Sequence, residues 1–335
     1  MAVFIIRRLF SLVITLLGGF TLLFILFFAL PSDPATKIAS NGGSKNVPAE
    51  VVRNVEKRLG LDKPVYEQYW NRLTDTVTLS GESYTTREPV ADMVKQRLPA
   101  SLRLAIFAMM IEATIGIGSG VLSARRRGSI ADTITTIAAV VAGAIPVFVL
   151  GYLLTLVTGV YAFEHGWPEW ARLPAISNNY DPDQWSLFII PNLDQLELLI
   201  QPAVVLASVS TAIVARLPRT TMLEAQTADH VRTARAKGLR EKTVSRRHVL
   251  RNALIPVVTF IGIDFGTIIG FAILTETVFQ WPGLGSKVAT AAGQSDLPVV
   301  LALSMVVMLI YGLMNLVVDI SYAKLDPRIR LGGAK

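Results

Sequence analysis

Six long apolar runs constrain this 335-residue chain more than any other feature of its sequence. Each run has about 20 residues, the length that an α-helix needs to cross the ~30 Å hydrocarbon core of a bilayer. Backbone groups in hydrocarbon must bond to one another, so runs of this length are expected to be helical. We therefore predict an all-α integral membrane protein with six transmembrane helices. The runs are residues 9–30, 101–122, 134–160, 196–214, 253–274 and 299–320.

Composition excludes several classes of protein. Hydrophobic residues make up 52% of the chain and charged residues 17%, which is too apolar for an ordinary soluble domain. The absence of cysteine excludes disulfides, thiolate metal sites and cysteine nucleophiles. The three histidines do not form HxxxH or HExxH, so we expect no metal site. A membrane-embedded enzyme is one alternative class, but no nucleophile–base spacing supports it, and we expect no catalytic residues.

The order of apolar and polar stretches predicts three regions. Residues 1–31 are expected to be a retained anchor helix, because the run is too long for a signal peptide and lacks a small-residue cleavage site. Residues 32–100 form an enlarged extracytoplasmic segment. Residues 101–335 are the core transmembrane domain, with a polar loop at 216–252.

Cationic residues predict the orientation of the chain. More than half of its 32 Lys and Arg residues lie in short segments that six crossings place on one side, which the positive-inside rule identifies as cytoplasmic. Both termini are then cytoplasmic. The net charge of +7 is interpreted as this topology signal rather than as nucleic-acid binding, because no basic cluster carries stacking aromatics. The cations are Arg7, Arg8, Arg125, Arg126, Arg127, Arg216, Arg219, Arg232, Arg235, Lys237, Arg240, Lys242, Arg246, Arg247, Arg251, Lys324, Arg328, Arg330 and Lys335.

Aromatic residues recur in the two connectors expected outside the cell, 32–100 and 161–186. Two interpretations stay open for them. They either lie at the membrane interface or pack within the connectors, or they form a platform for an external protein. They are Tyr66, Tyr69, Trp70, Trp167, Trp170, Tyr180 and Trp185.

The polar loop between the fourth and fifth runs carries helix signals. Thr221 and Glu224 fit a capping box, which predicts a helix that begins there and continues to Lys237. Gly238 lies where such a helix would end in a left-handed cap. A second helix is predicted over residues 241–250.

The residues around that predicted break form a small, basic knob. Small side chains permit close approach to another protein, and the cations offer charged contacts. The alternative is a basic surface helix held by anionic lipid headgroups. The knob residues are Arg232, Thr233, Ala234, Arg235, Ala236, Lys237, Gly238 and Leu239.

Glu112 and Asp264 lie within predicted spans. A charge at the middle of a bilayer costs roughly 2.5–3.5 kcal/mol on insertion scales, so each should face a partner or a wet cavity. They are either hydrogen-bonded between helices or part of the wall of a translocation path. Gly116 and Gly120 form a GxxxG pattern in the same span as Glu112, which indicates a helix-packing seam.

These motifs together resemble a known family. The loop resembles the EAA loop of ABC importer permeases, with residues 232–234 at the E-A-A positions, Gly238 at the glycine and 254–256 at the closing L-x-P. ETVFQWPGLG at 276–285, YAKLDPRIR at 322–330 and residues 7–35 are similar to the dipeptide/oligopeptide (and nickel) branch, and to its first-permease type. We interpret segment 32–100 as an unusual elaboration on that plan.

The resemblance implies a fold, a function and partners. The fold is that of a type I ABC importer permease, and the function is passage of peptides by alternating access in the inner membrane of a bacterium. Glu224 and the knob residues would contact one of two ATP-binding subunits, which bind ATP and Mg²⁺; the chain itself has no GxxxxGK[ST] and no cofactor. The other partners would be a second homologous permease subunit, an extracytoplasmic substrate-binding protein, the peptide and membrane lipids.

Alternatives to this function stay open. Nickel or another small solute could be the cargo within the same family. An ion-driven secondary transporter is a different class, although the chain shows no convincing internal repeat. A homodimer is the alternative to pairing with a homologous permease.

Overall fold

The structure, a computed structural model, describes residues 2–29, 34–40, 47–177 and 179–325, which are mostly helical. Among these residues, six helical segments are long and apolar enough to cross a membrane, which confirms the prediction of six transmembrane helices. The segments are Val3–Phe27, Val90–Arg125, Val147–Glu164, Leu193–Thr227, Glu241–Val278 and Leu297–Ile320.

Most of the described residues lie in helices that follow one another along the chain. The α-helices are α1 (Ala2–Phe24), α2 (Pro34–Ala39), α3 (Ala49–Leu59), α4 (Val65–Thr78), α5 (Val90–Arg125), α6 (Ile130–Ala144), α7 (Val147–Leu154), α8 (Ala162–Glu164), α9 (Leu193–Thr227), α10 (Asp229–Ala236), α11 (Glu241–Thr243), α12 (Arg251–Val278), α13 (Leu284–Gly293) and α14 (Leu297–Leu325). Ile25–Ala29, Thr155–Tyr161 and Val244–Leu250 are π-helical, and Glu169–Ala171 and Pro182–Gln184 are 3₁₀ turns. The strands β1 (Trp185–Ser186) and β2 (Ile190–Pro191) pair antiparallel.

Three of these helices form the core of the molecule. Buried side chains of α5, α9 and α12 make one hydrophobic cluster. The predicted GxxxG seam is confirmed, because a Cβ on Gly116 would lie 2.6 Å from Val214 Cγ1 and one on Gly120 would collide with the Ala215 carbonyl oxygen. Only glycine lets the backbones of α5 and α9 approach this closely.

The first helix packs along the last one. Arg8 forms an ion pair with Asp319 at 3.0 Å, and near the other end of α1 Phe20 is buried against Leu301. We call the end of the molecule that holds Arg8 and Asp319 the basic side, and the other end the opposite side. The predicted end of the first run at residues 30–31 lies outside the described residues, as do 326–335 of the C-terminal motif and tail.

The third apolar run is not one uninterrupted helix. It breaks at Ile145 and Pro146, between α6 and α7, where both residues leave helical geometry with ψ angles of 124° and 135°. The sequence interpretation overlooked this proline, which has no backbone N–H and disfavours helical geometry in the residue before it. The two pieces still follow α9: Gly143 approaches Ala212, and Gly151 approaches Val205.

The predicted boundary between residues 100 and 101 falls inside a helix. α5 begins at Val90 and continues through Pro99 without interruption. Preceding residues are tied to the loop before α14, because the buried Asp296 carboxylate accepts hydrogen bonds from Ser83 Oγ and from the Tyr84 backbone N–H at 2.9 Å. The described parts of segment 32–100 are therefore attached to the core rather than separate from it.

The segment of chain that connects α8 to α9, with its two 3₁₀ turns and the strands β1 and β2, forms a cap over the opposite side. Arg103 of α5 is buried beneath it and donates to the Phe188 carbonyl oxygen at 2.8 Å and to the Tyr180 hydroxyl. Its guanidinium carbon lies 4.5 Å from the Trp185 ring centroid. Tyr180 and Trp185 thus pack internally, which is one of the two interpretations left open. The side chain of Trp170 lies outside the described residues.

Candidate functional site

The fourth span continues well into the region predicted to be a loop. α9 reaches Thr227, so Thr221 lies inside the helix, and its hydroxyl donates to the Leu217 carbonyl oxygen at 2.9 Å. The predicted capping box at Thr221 is therefore wrong. The helix persists because its last turns pack inward, where Met222 is fully buried. Glu224 lies exposed on the last turns of α9, away from any helix start that it could cap as predicted.

The chain turns sharply after α9 and forms a short separate helix, α10. That helix ends as predicted: Gly238 has a φ of +75°, and the Leu239 N–H bonds back to the Ala234 carbonyl at 3.4 Å. A Cβ on Gly238 would meet no atom within 4 Å. The left-handed backbone, rather than lack of space, is what favours glycine here.

One face of α10 is buried against the rest of the molecule. Val231 and Ala234 are almost fully buried and belong to a cluster with Met222 and Val249. The prediction that Ala234 offers room for a partner is therefore wrong, because the period of the helix turns it toward the molecule's own core. The exposed members of the knob are Arg232, Thr233, Arg235, Ala236, Lys237, Gly238 and Leu239, which we call the elbow surface.

Arg235 has a partner within the chain. Its Nη2 and Nε atoms donate to the two Glu241 carboxylate oxygens at 2.8 and 3.1 Å, and Nη1 donates to the Gln226 carbonyl at 3.3 Å. This bidentate hydrogen bonding raises the pKa of Arg235 above its usual value. The pair clamps the turn at Gly238. Arg232 makes a long, exposed ion pair with Asp229 at 3.8 Å, so Arg232 and Lys237 are the elbow cations most open to outside contacts.

A second contact joins α10 directly to the fifth span. The Asn252 amide donates to His230 Nε2 at 3.1 Å and to the His248 carbonyl at 3.0 Å. From Glu241 to Val278 the chain is continuously helical. Displacement of α10 would therefore move the basic end of the fifth span with it.

An ion pair beside the elbow joins three other helices. Arg219 of α9 donates to both carboxylate oxygens of Asp132 at 2.9 and 3.0 Å, and Ser123 at the end of α5 donates to the same group. Asp132 lies before the apolar run that begins at Ile134. The Arg219 guanidinium, together with Ser123 and the Gly128 N–H, holds the pKa of Asp132 far below its usual range.

The structure brings the two acidic residues of the predicted spans together. Glu112 on α5 is fully buried and Asp264 on α12 nearly so, and their carboxyl groups lie close enough to interact electrostatically. The buried Ser210 of α9 lies beside Asp264. Within the described residues, both Glu112 oxygens and Asp264 Oδ2 lack a well-aligned hydrogen-bond partner. This carboxyl pair lies where the three core helices meet.

A third buried acid, Glu276, explains the 276–285 motif. Its carboxylate accepts from Ser101 Oγ at 2.5 Å and from the Ser286 N–H at 2.9 Å, and so it caps the first turn of α13. Ser101 Oγ in turn accepts from the Leu284 N–H at 2.7 Å. A Cβ on Gly283 would collide with the Glu276 carboxyl group. The glutamate and the glycine of the motif are therefore required together.

Sequence reasoning singled out Glu112, Asp264 and the elbow but missed several contacts. It did not find Arg219 with Asp132, Arg235 with Glu241, or the caps made by Glu276. For the two ion pairs, the available signal was opposite charge in segments expected on the same side of the membrane. Among the described residues, no group of three or more His, Cys, Asp or Glu side chains is placed to hold a metal ion.

Six crossings around a helical core, with a short separate helix between the fourth and fifth, define a multi-pass membrane protein. A sequence model described as "Binding-protein-dependent transport system inner membrane component" matches residues 116–331, and the chain belongs to this family. Its fold is therefore that of a type I ABC importer permease, as the resemblance implied. The chain is a transport subunit.

The N-terminal part is matched as well. A model described as "Binding-prot-dependent transport system membrane comp, N-term" covers residues 1–105. The interpretation of segment 32–100 as an unusual elaboration is therefore wrong, because the segment lies within a part that the family has in common.

Relatives match over nearly their whole length. The chain is 38% identical over 339 residues to the di/tripeptide transport system permease protein DppB of Pseudomonas aeruginosa (strain UCBPP-PA14), covering 98% of both chains. It is 36% identical over 328 residues to the glutathione transport system permease protein GsiC of Escherichia coli (strain K12), again covering 98% of both. It is 34% identical to the dipeptide transport system permease protein DppB of Alkalihalophilus pseudofirmus, over 97% of this chain and 98% of that one.

Proposed function

We propose that this chain is a permease subunit of an ATP-driven importer of short peptides. The relatives at 34–38% identity are permeases for dipeptides, tripeptides and glutathione, which share a peptide backbone. The observation that carries the proposal is the elbow surface. It is small, basic and exposed, and it is clamped to the fifth span by contacts of Arg235 and His230.

The elbow surface is the contact for one of a pair of ATP-binding subunits, which bind ATP and Mg²⁺. Arg232 and Lys237 supply exposed positive charge, Thr233 and Ala236 allow close approach, and Glu224 lies exposed on the last turns of α9. When the ATPase pair closes, it pushes α10. The Arg235–Glu241 clamp and the continuous helix from Glu241 carry that push into α12, which rocks the core between two states of alternating access.

The carboxyl pair is the candidate for contact with cargo. In this conformation Glu112 and Asp264 are buried against each other, so they line no open path. Separation of α5 from α12 would expose both carboxyls, which could then meet the amino terminus of a peptide. The burial of two acids without well-aligned hydrogen bonds supports this role over a purely structural one, because such burial is costly without function.

The complex and its orientation are part of the same proposal. The basic side faces the cytoplasm of a bacterium with both termini, and the opposite side carries the cap and α4. A second homologous permease completes the path, and an extracytoplasmic binding protein delivers the peptide. Peptide is proposed over nickel or another small solute because of the relatives' cargo and because acids that can accept an ammonium group lie in the core.

Reconstitution tests the proposal. The chain is co-purified with its neighbouring subunits, placed in liposomes and supplied with a radiolabelled dipeptide, a tripeptide or nickel. We expect peptide accumulation that requires ATP and the binding protein. Uptake driven by a proton or sodium gradient in the absence of the ATPase subunits would overturn the importer mechanism, and accumulation of nickel without peptide would overturn the cargo.

A further inference from the structure

The helix α4 carries an exposed apolar stripe that the proposed function does not use. Tyr66, Trp70 and Val77 recur at helical spacing, and their exposed fractions are 70%, 62% and 70%. Leu73, half-buried, continues the stripe between them. A contiguous exposed apolar surface of this kind marks a binding site for lipid or protein.

The position of α4 along α1 is fixed by direct contacts. The Tyr69 hydroxyl lies 2.9 Å from Thr21 Oγ1, and the Tyr69 ring packs edge-on against Phe20 and Phe24 at centroid distances of 5.4 and 5.2 Å. α4 therefore lies against a helix that crosses the membrane.

The depth of this contact follows from helix geometry. Charged residues mark the edge of the hydrocarbon, and on the basic side that edge is given by the Arg8–Asp319 pair. At about 1.5 Å per residue, Thr21 lies about 20 Å and Ile25 about 26 Å beyond Arg8 along α1. Leu301, which contacts the same cluster, lies about 27 Å from Asp319 along α14. All three distances are shorter than the ~30 Å thickness of the hydrocarbon core, so the three residues lie inside it. Tilt of a helix shortens its span along the membrane normal, which places these residues still farther from the opposite surface.

The remaining faces of α4 suit a helix that lies in the membrane interface. Asn71, Thr74 and Thr78 form a polar exposed face beside the apolar stripe. The third face packs on the protein, where Arg72 donates to the Leu59 carbonyl and Thr76 is buried. An interfacial helix has this division between an apolar face toward acyl chains and a polar face toward water.

We propose that α4 is immersed in the membrane leaflet farther from the basic side, and that the groove between α1 and α4 holds a phospholipid acyl chain. The groove has a volume of about 540 Å³. Its lining is apolar and aromatic apart from Thr21, whose hydroxyl is already engaged by Tyr69. Ile25 of α1 lines the groove and is exposed, and Leu22 of the same helix is exposed as well, so the stripe continues the lipid-facing surface of a transmembrane helix. The groove is lined by Thr21, Phe24, Ile25, Val65, Tyr66, Tyr69 and Trp70.

Adjacent residues of α4 allow a matched test, because the chain has no cysteine of its own. Trp70→Cys and Val77→Cys place a nitroxide label on the stripe, and the controls Asn71→Cys and Thr78→Cys place it on the polar face one residue away. The full chain is labelled, reconstituted in phospholipid nanodiscs and studied by power-saturation EPR. At positions 70 and 77 we expect collisions with oxygen to exceed those with a water-soluble nickel chelate, and at 71 and 78 the reverse.

Two results would overturn the proposal. Nickel accessibility at position 70 that exceeds its oxygen accessibility and matches the high value at position 71 would place the stripe in water. Protection of positions 70 and 77 from both reagents would mean that another protein covers the stripe.

A second measurement needs only one conservative change. Dibrominated phospholipids should quench the tryptophan fluorescence of the native chain more than that of Trp70→Phe. Equal quenching would contradict contact between Trp70 and acyl chains.

Discussion

Arg219 and Asp132 form a bidentate ion pair, with Nε to Oδ1 at 2.9 Å and Nη2 to Oδ2 at 3.0 Å. The pair joins the basic end of α9 to the start of α6, and Ser123 adds the end of α5 to the same carboxylate. Three helix ends are thereby fixed beside the elbow. A push on α10 can be transmitted to the spans only if the helices around it keep their positions, and this ion pair supplies that stiffness.

Loss of the carboxylate should lower stability in a pH-dependent way. Asp132→Asn removes the charge that Arg219 binds, so we expect a lower midpoint of thermal unfolding at neutral pH. The pKa of Asp132 is depressed in the folded protein, so its contribution is complete above the unfolded-state pKa of about 4 and is lost as pH falls further. The difference in midpoint between wild type and variant should therefore be constant from pH 8 to 5 and shrink below about pH 4. A difference that grows in acid would contradict this assignment.

The clamp at the turn predicts rescue by charge exchange. Arg235→Glu and Glu241→Arg should each lower peptide-stimulated ATP hydrolysis by the assembled importer, because each places like charges at the turn. The double variant restores opposite charges and should recover most of the activity. Arg232→Glu is the control, since Arg232 is not part of the clamp, and combining it with Glu241→Arg should give no recovery. Additive losses in the charge-exchanged double variant would exclude the clamp.

Neighbouring alanines of α10 should respond differently to the same change. Ala234 is buried, so Ala234→Asp places an unpaired charge in the core at a cost of roughly 3–5 kcal/mol and should reduce the yield of folded protein. Ala236 is exposed on the elbow surface, so Ala236→Asp should leave folding intact and weaken binding of the ATP-binding subunits. Pull-down of those subunits by the folded fraction measures the difference. Normal binding by Ala236→Asp would remove this face from the contact.

Hydropathy predicted the number of spans but not their ends. It follows the lipid-facing surface, whereas α9 extends to Thr227 because the inward side of its last turns is buried. The break at Pro146 has a local signal, the proline itself, and was predictable from it. The third run nevertheless follows α9 along its length, because packing against a neighbour maintains the path of the chain through the break.

The candidate sites were predictable to different degrees. Glu112 and Asp264 stand out singly, because a charge in an apolar run is costly, but their meeting depends on how α5 packs on α12. Contacts between spans cannot be derived from local pattern, since Arg219 and Asp132 are separated by 87 residues. The turn at Gly238 was predictable because it depends on the backbone of a single residue.

The paired roles of Glu276 and Gly283 predict non-additive effects on stability. Gly283→Ala pushes a methyl group into the Glu276 carboxyl, and Glu276→Ala leaves buried donors of α13 unsatisfied at about 1–3 kcal/mol. The collision is absent from the double variant, because the carboxyl group is gone. Its loss of stability should therefore be smaller than the sum of the losses in the two single variants. Thermal unfolding in detergent measures the cycle. Gly293→Ala, where a Cβ meets nothing within 4 Å, serves as the control. Strict additivity would mean that the two residues act independently.

The carboxyl pair predicts a separation of transport from stability. Glu112→Gln and Asp264→Asn keep the shape of each side chain and remove the capacity for negative charge, so the folded state should be retained or made more stable. If the pair receives the peptide's amino terminus, uptake of a dipeptide with a free amino group should fall about tenfold, which corresponds to one lost interaction of about 1.4 kcal/mol. Uptake of the N-acetylated dipeptide, which lacks the ammonium group, is the control and should be low in wild type and unchanged in the variants. Full uptake of the free dipeptide by both variants would assign the pair a structural role between α5 and α12.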